Sequence, residues 1–268
     1  MSSSPGTRRL LDQFAAQLRQ TPVAPTPDQV HDLRVSIRRL SQALANAGPD
    51  SNETERVRKE LKVVMRMAGN VRDCDITLKL VGKAGGSKRL AERLHRRRGE
   101  AERALILGIG RWTKAHPLDR WRDLLPAHAE DRALAISAAL KKLFKRGRAA
   151  EDSDRKLHPL RIAAKKLRYT LELLHADAAR IDMIKGLQTR LGDINDFETA
   201  RSIAGEEGAS KRMLDELRSK QDKKIRSFRR FWNSTFAGRD REWAAALQAA
   251  PSRSRRVQHG NAGRQGAA

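Results

Sequence analysis

The sequence predicts an all-α protein of two tandem antiparallel helical bundles, and three observations support that prediction. Apolar residues recur at helical spacing, as at Leu33, Ile37, Leu40 and Leu44. β-branched and aromatic residues are sparse, and no segment alternates apolar and polar side chains as a half-buried strand does. Blocks of the first half also recur in order in the second half. We therefore expect an internal duplication whose two copies are related by a pseudo-two-fold axis.

Three pairs of matching blocks support the duplication. They are residues 30–40 with 157–167, 68–73 with 191–196, and 82–90 with 205–213. The offset is 127 residues for the first pair and 123 for the others, so one four-residue difference falls at the loop near Gly48 and Pro49. We predict one repeat over residues 1–125 and a second over 126–250, which together form one domain. A disordered basic tail is predicted over 251–268.

Apolar periodicity and capping residues predict the individual helices in chain order. In the first repeat they lie near 6–20, 33–44, 57–68, 74–83 and 88–115. In the second repeat they lie near 129–147, 157–176, 179–192, 197–204 and 211–236, followed by a tail helix near 240–249. Asp73 and Ser87 are predicted N-caps, and Ser210 is expected to begin the equivalent long helix of the second repeat. Gly85 and Gly86 indicate a turn, and prolines between 117 and 126 indicate the junction of the repeats.

The charge balance narrows the possible functions. The chain of 268 residues has 56 Lys and Arg against 32 Asp and Glu, a net charge of +24. Both halves carry the excess, because 25 basic and 14 acidic residues fall in 1–125, and 27 and 18 in 126–250. The expected partner is therefore a polyanion. The single cysteine, Cys74, excludes an intrachain disulfide. Without a signal sequence or a long apolar run, we expect a cytoplasmic protein with no membrane partner.

A cationic stripe follows the flank of the apolar face on two equivalent helices. In a helical projection, His31, Arg34 and Arg38 fall in one narrow sector of the first helix. In the second copy, the same sector holds His158, Arg161, Lys165 and Arg168. Like charges at these spacings repel each other, and no acidic residue offsets them within the stripe. A solvated surface would explain one such helix, but the recurrence in both copies favours a polyanion site.

Further basic residues on the same helix and on neighbouring helices extend this candidate site. They are Arg39, Lys62, Arg66, Arg89, Arg93 and Arg97 in the first repeat, and Lys166, Lys185, Arg212 and Lys220 in the second. Guanidinium groups hold phosphate oxygens through paired hydrogen bonds, and ammonium groups act as point charges. A histidine in the stripe is expected to be pushed toward protonation when phosphate is near.

The stripe belongs to a longer motif that resembles the CHAD domain, the conserved histidine α-helical domain. The first copy reads His31-x-x-Arg34-Val35-x-x-Arg38-Arg39-Leu40, then Gly69-x-x-Arg72-Asp73-x-Asp75-Ile76. The second reads His158-Pro159-Leu160-Arg161-Ile162-x-x-Lys165-Lys166-Leu167-Arg168-Tyr169, then Leu191-Gly192-x-x-x-Asp196. Two departures distinguish the copies: Ser41 stands at the position that corresponds to Arg168, and Asn195 stands at the position that corresponds to Arg72.

The resemblance covers residues 6–250 and carries several implications. It implies two helical bundles with a basic central surface that binds inorganic polyphosphate, and an association with polyphosphate granules. Many family members are fused to a triphosphate-tunnel enzyme domain, whereas this chain is expected to be a stand-alone member. We expect a monomer that needs no cofactor.

An enzyme is not expected, because no pair of histidines has the spacing of a metal site and no nucleophile is paired with a base. Asp73, Asp75, Asp193 and Asp196 are expected to cap helices and pair with arginines rather than to bind a metal ion. Nonspecific nucleic-acid binding is the alternative function, and DNA or RNA is expected to compete for the site. Against it, no aromatic residue interrupts the stripes, and the four tryptophans lie in apolar, core-like sequence.

Overall fold

The computed structural model describes residues 5–21, 24–45, 52–115, 118, 121, 132–173 and 178–249, and within these ranges it contains helices but no strand. The helices are α1 (Pro5–Gln20), α2 (Pro27–Ala45), α3 (Asn52–Lys83), α4 (Lys88–Ala115), α5 (Arg132–Glu151), α6 (Leu157–Leu173), α7 (Ala178–Glu206), α8 (Lys211–Thr235) and α9 (Asp240–Ala249). A 3-10 turn, Asp154–Lys156, precedes α6. The all-α prediction is confirmed for this part of the chain.

Two predicted helix boundaries are wrong, because α3 and α7 are each one continuous helix. α3 runs through Asp73, which we expected to be an N-cap, and α7 runs through Asp193 and Asp196. In α3 the buried residues Val71, Cys74 and Val81 continue the apolar face across the predicted break. Burial of that face stabilises the uninterrupted helix more than a local cap at the aspartate would.

The predicted N-caps at the next helices agree with the structure. The backbone N–H of Leu90 donates to Ser87 Oγ over 3.3 Å, and the N–H of Met213 donates to Ser210 Oγ over 3.3 Å. Each cap follows a tight turn with a glycine in the left-handed region, Gly85 with φ of +76° and its counterpart with φ of +71°. These two turns lie at matching places in the chain.

Each half of the chain has its own apolar core. One core extends from Leu11 to Trp121, and another extends from Ile136 to Leu247. All four tryptophans are buried, as the sequence indicated, and so is Cys74. The predicted boundary at residue 125, the Gly48–Pro49 loop and the tail over 251–268 lie outside the described residues. The duplication and the repeat limits therefore stay predictions.

The two halves are joined mainly by α3 packing against α7. A third apolar cluster, which includes Val81, Leu94, Phe197 and Leu217, closes this contact near the two glycine turns. α2 also lies against α6 through fewer contacts. This arrangement brings the two histidine-containing helices together, although each belongs to a separate core.

Candidate functional site

Five basic residues from both halves meet where α2, α3 and α6 come together. They are Arg34 and Arg38 on α2, Arg72 on α3, and Arg161 and Lys165 on α6, and we call them the central cationic cluster. Burial and the charges of Arg38, Arg161 and Arg72 together lower the pKa of Arg34 to about 10. The cationic stripes of the two halves therefore form one site.

Two carboxylates, Asp73 of α3 and Asp196 of α7, lie beside the central cationic cluster. Burial raises the pKa of both carboxyl groups, and the charge of Arg161 opposes that rise at each of them. Among the described residues, five cations thus face two acids. The cluster keeps an excess of positive charge in a place that is partly removed from water, where electrostatic attraction for an anion is strong.

The side chains of the central cationic cluster make no hydrogen bond or ion pair with any other described residue. The Nε atoms of Arg38 and Arg161 are buried and have no hydrogen-bond partner in the described part of the chain. A buried donor without a partner costs about 1–3 kcal/mol. An anion that accepted these hydrogen bonds would remove that cost, so the cluster is suited to binding one.

Lys165 is the most strongly perturbed member of the cluster. Burial lowers its pKa to about 7, and the charges of Arg161, Arg38 and Arg34 contribute to the same shift. The lysine is therefore only partly protonated near neutral pH. A bound anion would favour the charged ammonium form and raise this pKa.

The two histidines flank the cluster at its surface. His31 is exposed, and its pKa is lowered by burial of part of the ring and by the charges of Arg72 and Arg38. In the free protein this shift favours the neutral ring, so the expected protonation of His31 requires a bound anion. The Nδ1 atom of His158 lies 3.2 Å from Asn195 Oδ1, which orients that ring. In the predicted duplication, Asn195 corresponds to Arg72.

Several predicted site residues instead have protein partners. Arg93 Nε donates to the carbonyl oxygen of Glu207 over 2.6 Å. Arg97 pairs with Glu206 at 2.7 Å and with Glu207 at 3.1 Å. These contacts tie α4 to the end of α7 and its turn. The binding role predicted for both arginines stays a prediction, but the structure gives each of them a stabilising contact between the halves.

Three more predicted residues have partners within the second half. Arg168 Nε donates to Glu172 over 2.7 Å, and its Nη1 donates to a glutamine of α7. Lys185 pairs with Asp182 at 2.9 Å. Lys220 pairs with a glutamate at 3.2 Å. Arg168 is the additional cation of the second stripe. Its hydrogen bond to the α7 glutamine joins α6 to α7.

The remaining predicted residues are exposed on α2, α3, α4, α6 and α8. They are Arg39, Lys62, Arg66, Arg89, Lys166 and Arg212. Lys62 lies 3.9 Å from Glu55, which is a weak ion pair at a surface position. These cations stay available to a ligand that extends beyond the cluster.

The site residues predicted from the sequence do not include Arg72, Asp73 and Asp196. The first two belong to the motif Gly69-x-x-Arg72-Asp73, so the signal was present. A helical projection treats one helix at a time, and it could not show that this segment of α3 faces α2. Gly69 also has a role in the site: a Cβ at this position would lie 2.8 Å from Arg34 Nη1. The glycine lets the guanidinium group lie against α3.

These features define a class of all-α protein in which two helical halves share a half-buried cationic cluster. Within that class, this chain belongs to the CHAD domain family, whose family model matches residues 7–205. The resemblance found in the sequence is thereby confirmed. No curated protein matches the chain significantly.

Two solved structures are similar in fold. One is the CHAD domain from the plant Ricinus communis, with 20% identity and a TM-score of 0.56, covering 92% of this chain and 90% of that chain. Another is PptA from Streptomyces chartreusis, with 18% identity and a TM-score of 0.65, covering 85% of this chain and 96% of that chain. Both support the all-helical architecture.

Proposed function

We propose that this protein binds inorganic polyphosphate at the central cationic cluster and has no enzymatic activity of its own. The observation that carries the proposal is the cluster itself: five cations from both halves, none paired with another described side chain. The CHAD family is associated with polyphosphate binding, which supports the same reading. Binding would serve recruitment of the protein to polyphosphate granules in the cytoplasm.

A phosphate chain fits the cluster because every unit offers oxygen acceptors and negative charge. The buried Nε atoms of Arg38 and Arg161 would donate to these oxygens, and such charge-assisted hydrogen bonds are about twice as strong as neutral ones. A longer chain would also reach exposed cations such as Arg39, Lys62 and Lys166. Affinity should therefore increase with chain length, since more cations are engaged by one ligand.

Nucleic acid is the rival ligand, because it too is a chain of phosphates. The cluster favours the simpler polymer on steric grounds. The Nε atoms of Arg38 and Arg161 are buried, and a bare phosphate chain approaches them without the sugars and bases that surround the phosphates of DNA or RNA. A membrane is not proposed as a partner, and no helix in the described ranges is long and apolar enough to span one.

A competition titration separates the two ligands. Labelled long-chain polyphosphate bound to the protein is challenged with duplex DNA, RNA or orthophosphate at equal phosphate concentration and about 0.15 M salt, where distant charges are screened. We expect unlabelled polyphosphate to displace the label most effectively and orthophosphate least. Equal displacement by DNA would refute the polyphosphate proposal and favour nonspecific nucleic-acid binding.

A pair of matched variants locates the site. Arg34→Gln/Arg38→Gln removes two charges of the central cationic cluster, and Lys141→Gln/Lys145→Gln removes two exposed charges at the same spacing on α5. The cluster variant is expected to bind polyphosphate at least about tenfold more weakly, since one charge-assisted hydrogen bond contributes about 1.5–3 kcal/mol. The α5 variant should lose about twofold or less. Equal losses, with both variants folded by circular dichroism, would mean that only net charge matters.

Two further measurements address activity and location. Incubation with polyphosphate, with and without a divalent cation, should release no orthophosphate above a protein-free control. A fluorescent fusion should colocalise with polyphosphate granules, and the Arg34→Gln/Arg38→Gln variant should disperse. Sustained orthophosphate release would contradict the binding-only proposal, and an undispersed variant would contradict recruitment through the cluster.

A further inference from the structure

A cleft of about 340 Å³ opens beside the central cationic cluster, between α2, α3 and α6. This volume falls within the range of about 300–1,000 Å³ that is typical of small-molecule sites. Five cations line it: Arg38, Arg58, Lys62, Lys165 and Lys166. No acidic residue is among the described residues of the lining. The cleft therefore shares two cations with the cluster and adds three of its own.

The same cleft has an apolar wall that inorganic polyphosphate cannot use. Ile37 and Leu61 are buried residues of the lining, and Met65 and Ile162 are also part of it. Ile162 is 53% exposed, although it stands between basic residues of α6. A ligand made only of phosphate would bury no apolar surface against this isoleucine. The isoleucine would gain from a ligand that buries an apolar surface against it.

The cleft also offers polar groups beside the apolar wall. Ser41 and Gln42 of α2 are part of the lining, and the Nε2 atom of Gln42 donates to Thr170 Oγ1 over 3.5 Å. A plain acyl chain in this space would bury the Ser41 hydroxyl against hydrocarbon, which is costly. A nucleobase has flat apolar faces and polar edges, so it suits a wall that combines Ile162 and Met65 with a hydroxyl and an amide.

We propose that this cleft binds a nucleoside polyphosphate, with the base against Ile162 and Met65 and the phosphates directed to Arg38 and Lys165. The proposal rests on the proposed function for its phosphate contacts and goes beyond it by adding a site for a base. A nucleotide would then share the cluster with polyphosphate, and the two ligands would compete.

The test compares ATP with inorganic tripolyphosphate by isothermal titration calorimetry without divalent cations. Both carry three phosphates, and tripolyphosphate carries the greater charge, so electrostatics alone would favour tripolyphosphate. We expect ATP to bind about tenfold more tightly, equivalent to about 1.4 kcal/mol. ATP should also displace labelled long-chain polyphosphate at a lower concentration than tripolyphosphate does.

A variant at an exposed position tests whether the cleft causes the preference for ATP. Ile162→Asn should reduce the ATP preference to about twofold or less and leave tripolyphosphate affinity unchanged. Because Ile162 is exposed, the variant should fold normally. Leu107→Asn is the matched control, since Leu107 is 64% exposed on α4 and does not line the cleft. It should keep the full preference.

The outcomes separate this inference from the polyphosphate proposal. ATP binding no tighter than tripolyphosphate, or a preference that survives Ile162→Asn, would overturn the nucleotide site while polyphosphate binding stands. ATP binding that depends on Ile162, without any binding of long-chain polyphosphate, would support the cleft and refute the polyphosphate function. Binding of neither ligand would overturn both.

Discussion

Replacing Lys165 with methionine is expected to stabilise the free protein near neutral pH and to weaken polyanion binding. Lys165 lies in the central cationic cluster beside Arg161, Arg38 and Arg34. Burial and these three charges lower its pKa from 10.5 to about 7. Methionine has a similar length and keeps the apolar contacts of the lysine stem, but it has no ammonium group to desolvate.

The pKa shift sets the sign and size of the effect. A lysine with a lowered pKa in the folded state binds fewer protons there than in the unfolded chain, so its contribution to stability rises with pH between about 7 and 10.5. Linkage gives a cost of folding on the order of 4 kcal/mol at about pH 7.5 and on the order of 1 kcal/mol at about pH 10. The advantage of Lys165→Met should shrink accordingly as the pH is raised.

The assay is urea denaturation followed by far-ultraviolet circular dichroism at both pH values. Lys141→Met, at an exposed position on α5, is the control and should change the free energy of unfolding by about 0.5 kcal/mol or less. The binding of polyphosphate to Lys165→Met should be weaker, and the proton uptake that accompanies binding to the wild-type protein near pH 7.5 should decrease, because Lys165 no longer contributes to it. A variant that is no more stable than wild type at about pH 7.5, or an advantage that does not fall toward pH 10, would refute the reasoning.

Three further predictions follow from the packing around the site. Gly69→Ala should displace the Arg34 guanidinium and lower polyphosphate affinity, whereas Gly192→Ala, which meets open space, should leave affinity unchanged; both should gain up to about 1 kcal/mol of helix stability. Equal polyphosphate affinities of the two variants would show that binding does not depend on the close approach of Arg34 to Gly69. Arg97→Met should lower the free energy of unfolding by about 0.5–1 kcal/mol, because its pairs with Glu206 and a neighbouring glutamate are partly exposed, and should leave affinity within about twofold. Polyphosphate affinity should fall by about a hundredfold or more between about 50 and 200 mM salt, and a flat response would exclude a site built on several phosphate contacts.

Local patterns in the sequence predicted most of the helices and several specific features. Apolar spacing located α2 and α6, because the buried face of an amphipathic helix recurs regularly along the chain. Ser87 and Ser210 were recognisable at the starts of helices because a side-chain cap acts within one turn. Asp73 was misread for the same reason: a local rule favoured a break, and long-range burial of one face of α3 kept the helix intact.

The sequence by itself determined the all-α class, the charge excess, the family and the histidine-led stripes, since each is written in composition or in spacing along one helix. Only the tertiary structure decided which cations form the site. Arg34 and Arg161 are far apart in the chain, and they influence each other because α2 and α6 are packed together. Packing also gave Arg97 and Arg168 protein partners, whereas the central cationic cluster has none among the described residues. Which charges are paired depends on the distances between helices, and no pattern along a single helix contains those distances.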